Sequence, residues 1–389
     1  MPHKDYKPFQ PYTTLVDRVQ RGEFIRKIVS QVRAHEYPYE KRPPEKVSWS
    51  TYDIAQCNEI ADVLELIRTL VDSAEEKIES RRPPSKPSPG RPPVAAVDVA
   101  KVLLAQSYFD VSNRVAEGLI CLFWRNLGLR ERFSYKTIER GYDRHAVDEL
   151  LDEVFTLTND PVRGLEKVFS IDGSGTPTHV RQNYAEERDR QRREGKTEGR
   201  SGGSAAFPRS RHDFVYSVSM VGTRFKLVSA WESTVDHSRR EPSFFEPLLR
   251  ETRERHPGME MVVGDGAYAA RPCCNVASDL GVEPRFLPKR SATLKRKGSA
   301  AWVDMLFALA KDPDRWLSDY YRREASESVN SVIKRENPSP LRKRLGARRC
   351  TEDRLRGACH NIRRLCYLRY LEPLLSNQCR RIVPRLAGG

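Results

Sequence analysis

Apolar positions recur at helical spacing over residues 14–34 and again over 51–79, where Ile60, Val63, Leu64, Ile67, Leu70 and Val71 share a face. The pattern then breaks. From Arg81 to Pro93, prolines alternate with positive charge, which predicts an extended basic linker over 81–94 after an N-terminal helical region (1–80). Helical periodicity returns over 95–160, with an apolar stretch through Val102, Leu103 and Leu104 and shorter pieces at 110–127, 134–140 and 145–157. Short helices broken at Gly128 and Ser134 suit a helix-turn-helix-like, DNA-binding bundle; a helical spacer is the plainer alternative.

At about residue 165 the period changes to that of strands. Val168–Ile171, Phe214–Val221, Phe225–Trp231, Met261–Val263 and 282–287 predict five strands. Helices are expected at 243–255, 271–280, 300–311 and 320–335, with Asn337-Pro338 ending the last. The charged, glycine-containing stretch 183–212 predicts a mobile surface loop. The result is an α/β unit over 161–337, flanked by helical N-terminal segments and a C-terminal segment.

Charge narrows the function. Lys and Arg number 68 against 53 Asp and Glu, a net +15, which favours a polyanionic partner, most commonly nucleic acid, although ribosome-associated proteins and anionic-membrane binders share the trait. Residues 338–389 hold 13 of those cations against three acids, so a basic helical tail is expected to contact phosphates through Arg342, Lys343, Arg344, Arg348 and Arg349. Lys136 and Arg140, in the short helix after Ser134, are candidates for the same work. No apolar run reaches bilayer length and the first residues lack the apolar core of a secretory signal, so no membrane partner and a cytoplasmic, nucleoid-associated location are expected. The eight cysteines include no Cys-x2-Cys pair and read as reduced thiols, not as a zinc site.

The segment carrying most chemistry is Tyr320 to Lys334. On a continuous helix at ~100° per residue, Arg323, Glu327 and Lys334 fall at ~300°, ~340° and ~320° from Tyr320, one narrow stripe. A carboxylate flanked by two cations and a phenol can hold a metal while its neighbours hold phosphates. By itself, the stripe could equally be a solvated face with an Arg323–Glu327 pair.

The same four residues match the Y-x2-R-x3-E-x6-K signature of DDE-type insertion-sequence transposases, in the branch grouped around insertion sequences four and five. Phe169-Ser170-Ile171-Asp172-Gly173-Ser174 resembles that family's first motif. Val263-Gly264-Asp265-Gly266-Ala267-Tyr268 is similar to its second, although Gly266-Ala267 departs from the usual turn. The resemblance covers about 165–337. It implies an RNase H-like fold, a mixed five-stranded sheet flanked by helices, whose Asp172, Asp265 and Glu327 hold two Mg2+ or Mn2+ ions for strand cleavage and transfer. It further implies phosphate contacts from Tyr320, Arg323 and Lys334, a secondary role for His237, and double-stranded DNA as partner: terminal inverted repeats and target, bound by a homo-oligomer, a dimer.

Two competitors fail on residues. Ile171 to Thr176 also resembles the first phosphate loop of sugar kinases, but no second glycine-rich loop or adenosine motif accompanies it. A haloacid-dehalogenase phosphatase needs an Asp where Ser174 stands. A catalytically inactive or repurposed RNase H-like DNA-binding protein, or a nuclease, remains as the alternative.

Overall fold

In a computed structural model of the chain, the described residues are 15–38, 48–82, 92–181 and 212–372. Most of the expected Pro-rich linker, nearly all of the expected 183–212 loop and the end of the basic segment lie outside them.

Among the described residues six helices come first: α1 (Leu15–Arg33), α2 (Trp49–Arg81), α3 (Ala96–Tyr108), α4 (Asn113–Phe123), α5 (Tyr135–Gly141) and α6 (His145–Asn159). Strands β1 (Val168–Arg181), β2 (His212–Gly222) and β3 (Val228–Thr234) follow, then α7 (Phe245–Arg255), β4 (Met261–Gly264), α8 (Arg271–Asp279) and β5 (Glu283–Phe286). Helices α9 (Ala300–Lys311), α10 (Pro313–Tyr320), α11 (Glu324–Glu336) and α12 (Gly346–Leu371) complete the described elements.

The strands form one five-stranded sheet in the order β3-β2-β1-β4-β5. Its β3-β2-β1 half is antiparallel and its β1-β4-β5 half parallel, so the sheet is mixed and flanked by helices. The strand expected over Val168–Ile171 runs on through Asp172 to Arg181. β2 keeps pairing with it to Pro177↔Phe214, whereas β4 stops opposite Ile171. Asp172 therefore ends only the parallel half of its strand.

Alternation along the strands sends Phe169, Ile171, Val218 and Met220 to one face. There they meet Ile25 and Val29 of α1, Leu248 of α7, Leu306 of α9 and Leu317 of α10 in one core. A second core gathers α2, α3, α6 and α12 around Ile67, Leu103, Leu151 and Ile362 and reaches the sheet at Val221 and Val228.

These two cores revise the expected domains. The first 80 residues are not one region: α1 completes the sheet's core and α2 the helical one. Nor is 95–160 self-contained, because α12 supplies Leu355, Ile362, Leu365 and Cys366 to its core. The connection between α4 and α5 spans residues 124–134, longer than the turn of about 3–4 residues that defines a helix-turn-helix.

The basic tail is corrected as far as it is described. Residues 346–371 form a packed helix whose Asn361 accepts from Val228 N and donates to Val228 O, each at 2.7 Å, covering the edge strand β3. Four of its five expected phosphate contacts are spent inside the fold. Arg342 pairs with Asp110 at 2.9 Å, Lys343 with Glu139 at 3.0 Å, and Arg348 with Glu139 and Asp143 at 2.9 and 2.8 Å. Arg349 pairs with Asp213. Arg344 is exposed and forms no ion pair among the described residues. Among those residues no helix is long and apolar enough to cross a membrane.

Candidate active site

Sheet register brings the first two carboxylates together. The parallel β1–β4 pairing ends at Ile171↔Gly264, so the next residue on each side is an aspartate, Asp172 and Asp265. The turn after Asp265 closes on its own carboxylate, to which Ala267 N donates at 2.7 Å. Small polar residues seat α11 on the same strand. Ser170 Oγ lies 2.7 Å from Ser326 Oγ and donates to Arg323 O at 3.1 Å. One turn further along α11, Asn330 Nδ2 donates to Asp172 Oδ2 at 2.9 Å. Glu327 lies between these two fastenings. Asp172, Gly173, Ser174, Glu327, Asn330 and Lys334 line an open cleft of about 460 Å³.

The electrostatics of the cleft are those of crowded carboxylates. Asp172 is pushed up to about 6, first by burial and further by the charges of Glu241 and Glu327, while the Asn330 hydrogen bond pulls the other way. Glu241, which opens the 3-10 turn after β3, is also raised by burial and by Asp265. Its carboxylate accepts from the Tyr268 hydroxyl at 2.8 Å, and Tyr216 hydrogen-bonds it as well. Burial and the same carboxylates drive both phenols upward, so they stay protonated donors.

The signature helix is not continuous. α10 ends at Tyr320, Tyr321–Arg323 form a 3-10 turn, and α11 starts at Glu324. A 3-10 turn advances ~120° per residue, so the stripe drawn from Tyr320 is re-phased at this point. Tyr320 is 4% exposed and stacks on Trp316 at 5.4 Å, which removes it from direct DNA contact. Instead its ring supports the Arg323 guanidinium, 5.5 Å away, and Arg323 pairs with Glu327. Lys334 is exposed on the cleft wall.

Other expected residues fall elsewhere. His237 hydrogen-bonds Asp213 at 3.2 Å beneath the Phe214 ring, in a cluster with Arg349, and does not line the cleft. Lys136 and Arg140 are exposed on α5. Glu241 and Asn330 escaped sequence reasoning. Asn330 stands one helical turn past Glu327, a spacing that could have flagged it, whereas Ser-Arg-Arg-Glu-Pro around Glu241 carries no signal.

Among the described residues no three His, Cys, Asp or Glu side chains stand close enough to hold a metal ion as they are. The donor set still fits hard divalent cations. All candidates are carboxylates, and Asp172 and Glu241 are half-buried beside like charges with no ion pair to either among the described residues. Glu327, exposed and turned to Arg323, would have to rotate inward to join them.

No protein-family model matches the chain. It is 27% identical over 276 residues to the "Probable transposase for insertion sequence element ISA1214" of Archaeoglobus fulgidus, spanning 70% of this chain and 76% of that protein. That relative supports a transposase. Among solved structures, the Mos1 transposase paired-end complex with left transposon end is 12% identical, covering 68% of this chain and 84% of that one at a TM-score of 0.21. The piggyBac transposase synaptic complex with hairpin DNA is 13% identical, covering 85% and 86% at 0.25. At such scores neither likeness bears on this chain.

Proposed function

We propose that this chain is a DNA transposase of the DDE type, with an RNase H-like sheet unit that cuts DNA at the ends of its element and joins them to target DNA. The observation that carries the reading is the register that sets Asp172 beside Asp265, with Glu327 of the signature helix coupled to Asp172. The strand order β3-β2-β1-β4-β5 supports the RNase H-like assignment, and the insertion-sequence relative supports the reaction class.

Asp172, Asp265 and Glu327 would hold two Mg2+ or Mn2+ ions, which when bound activate an attacking oxygen and stabilise a leaving one. The chain's own residues do the rest. Arg323, braced by the Tyr320 ring, and Lys334 on the cleft wall neutralise the phosphate being cut. A phosphate that takes Arg323 from Glu327 frees that carboxylate to turn towards Asp172. Asn330 keeps Asp172 facing the cleft. Water is the first nucleophile, and the freed 3′-hydroxyl then attacks target DNA. The partner is double-stranded DNA, terminal repeat and target in turn, held by a dimer of the chain.

The test is cleavage of duplexes carrying the element's own ends in Mg2+. Asp172→Ala, Asp265→Ala and Glu327→Ala are each expected to abolish cutting while DNA binding persists. Glu324→Gln, on the exposed first turn of α11, is expected to be mild. Full activity in any of the three alanine variants removes that residue from the site; cutting without joining makes the protein a nuclease.

A further inference from the structure

Glu241 has no counterpart in the three motifs, yet it is fixed against two of them. Tyr268, three residues past Asp265, donates to Glu241 Oε1 at 2.8 Å. Gly173, one residue past Asp172, has no side chain where a Cβ would come within 3.0 Å of the same oxygen and would overlap the Tyr216 hydroxyl. Any other residue at 173 would displace the Tyr216 hydroxyl and crowd Glu241. The missing Cβ leaves room for both beside the strand that carries Asp172.

Its surroundings satisfy a charge only in part. Glu241 is half-buried, is hydrogen-bonded by two phenols and by the Gly173 backbone N–H, and forms no ion pair among the described residues. Arg239 is engaged elsewhere: it pairs with Glu232 at 2.6 Å and lies 3.9 Å over the Phe244 ring. A partly desolvated carboxylate facing other carboxylates is costly unless a cation joins them. These three hydrogen bonds use part of its four lone-pair sites and orient the remainder.

We propose that Glu241 is a fourth carboxylate of the divalent-ion site, ligating alongside Asp172 and Asp265. The proposal rests on the metal reading of the site given above. It assigns to Tyr268 and Tyr216 the task of aiming Glu241, and to Gly173 that of admitting it.

Glu241→Gln separates ligation from anchoring, because Gln keeps the shape and the oxygen that accepts from Tyr268 while losing the charge. Mn2+ binding to full-length protein, with a random-sequence duplex present, is followed by the electron paramagnetic resonance of free Mn2+. The wild type is expected to bind Mn2+, and Glu241→Gln to bind it about tenfold or more weakly with an unchanged unfolding midpoint. Tyr268→Phe, which keeps the charge and loses only the aim, is expected to weaken binding less. Equal affinity and stoichiometry in wild type and Glu241→Gln overturn the proposal for Glu241 alone. No Mn2+ bound by the wild type overturns the metal site as a whole. Should Glu241→Gln fail to fold, wild-type protein loaded with Fe2+ is cleaved by hydroxyl radicals: backbone cuts near 172, 265 and 241 support the proposal, and their absence near 241 overturns it.

Discussion

Asn330 Nδ2 donates to Asp172 Oδ2 across 2.9 Å, tying α11 to the central strand at the mouth of the cleft. Asn330 is 8% exposed, so the contact is partly shielded from water and orients the carboxylate. Asn330→Ala is expected to slow Mg2+-dependent strand cleavage by about 10–100-fold, the range for losing a residue that orients a metal ligand. Asn330→Asp should be worse, since it sets a second carboxylate against Asp172. Single-turnover cleavage at saturating DNA measures both, and wild-type rates would remove Asn330 from any positioning role.

Lys343 and Arg344 are neighbours in sequence with opposite expected behaviour. Lys343 is 4% exposed and lies 3.9 Å from the Tyr142 ring while pairing with Glu139. Lys343→Ala should lower stability by about 1–3 kcal/mol in thermal or denaturant unfolding. Arg344→Ala should leave stability alone and reduce the slope of log affinity against log salt by about one. Reversed results would mean that the ion pairs of this segment do not form in solution.

A chain ending at residue 345 is expected not to fold its helical half, because the second core loses Leu355, Ile362, Leu365 and Cys366. For the same reason a fragment covering 1–160 should bind a hydrophobic dye and unfold without cooperativity. A sharp unfolding transition in that fragment would show a self-sufficient N-terminal domain. Recognition of the element's ends by Lys136 and Arg140 is better tested in the full chain: Lys136→Ala with Arg140→Ala should weaken binding to the terminal repeat more than to scrambled duplex.

Two buried histidines set an acid limit. His256, against the Phe169 ring, and His360, bonded to Lys226 O at 2.9 Å, are each pushed down to about 4 by burial, with further lowering from Arg163 and Arg255, and from Arg363, Arg364 and Lys226, respectively. In the unfolded chain both would bind a proton near pH 6.5, so between about 6.5 and 4 the unfolded state holds more protons than the folded one. These two groups therefore leave stability unaffected above pH 7 and reduce it as pH falls, each by up to about 3 kcal/mol below pH 4. Unfolding midpoints measured from pH 7.5 to 4.5 should decline, and His360→Gln should flatten the decline.

Much of the sheet unit was legible because its signals are local. Alternation in Phe214–Val221, the short run Met261–Val263 and the helical spacing over 300–311 each need only neighbouring residues, and these elements stand within a few positions of where the pattern predicts them. The three acidic positions were legible as types in a signature. Only the register Ile171↔Gly264 sets two of them side by side, since backbone pairing between distant segments is not written in either one. Three further points depended on tertiary contact. Tyr320 turns inward because Trp316 and the sheet core offer a hydrophobic seat, and directly after it a 3-10 turn interrupts the helix that periodicity alone would continue. The basic charges of 342–349 looked free because their acids, Asp110, Glu139, Asp143 and Asp213, lie more than a hundred residues upstream. Glu241 looked ordinary because the groups that bond it, Tyr268, Tyr216 and the Gly173 backbone, lie on other segments of the chain. Residue types and periods belong to the chain; which charges face one another, and which are already neutralised, belongs to the fold, because electrostatic energy depends on distances that only packing sets.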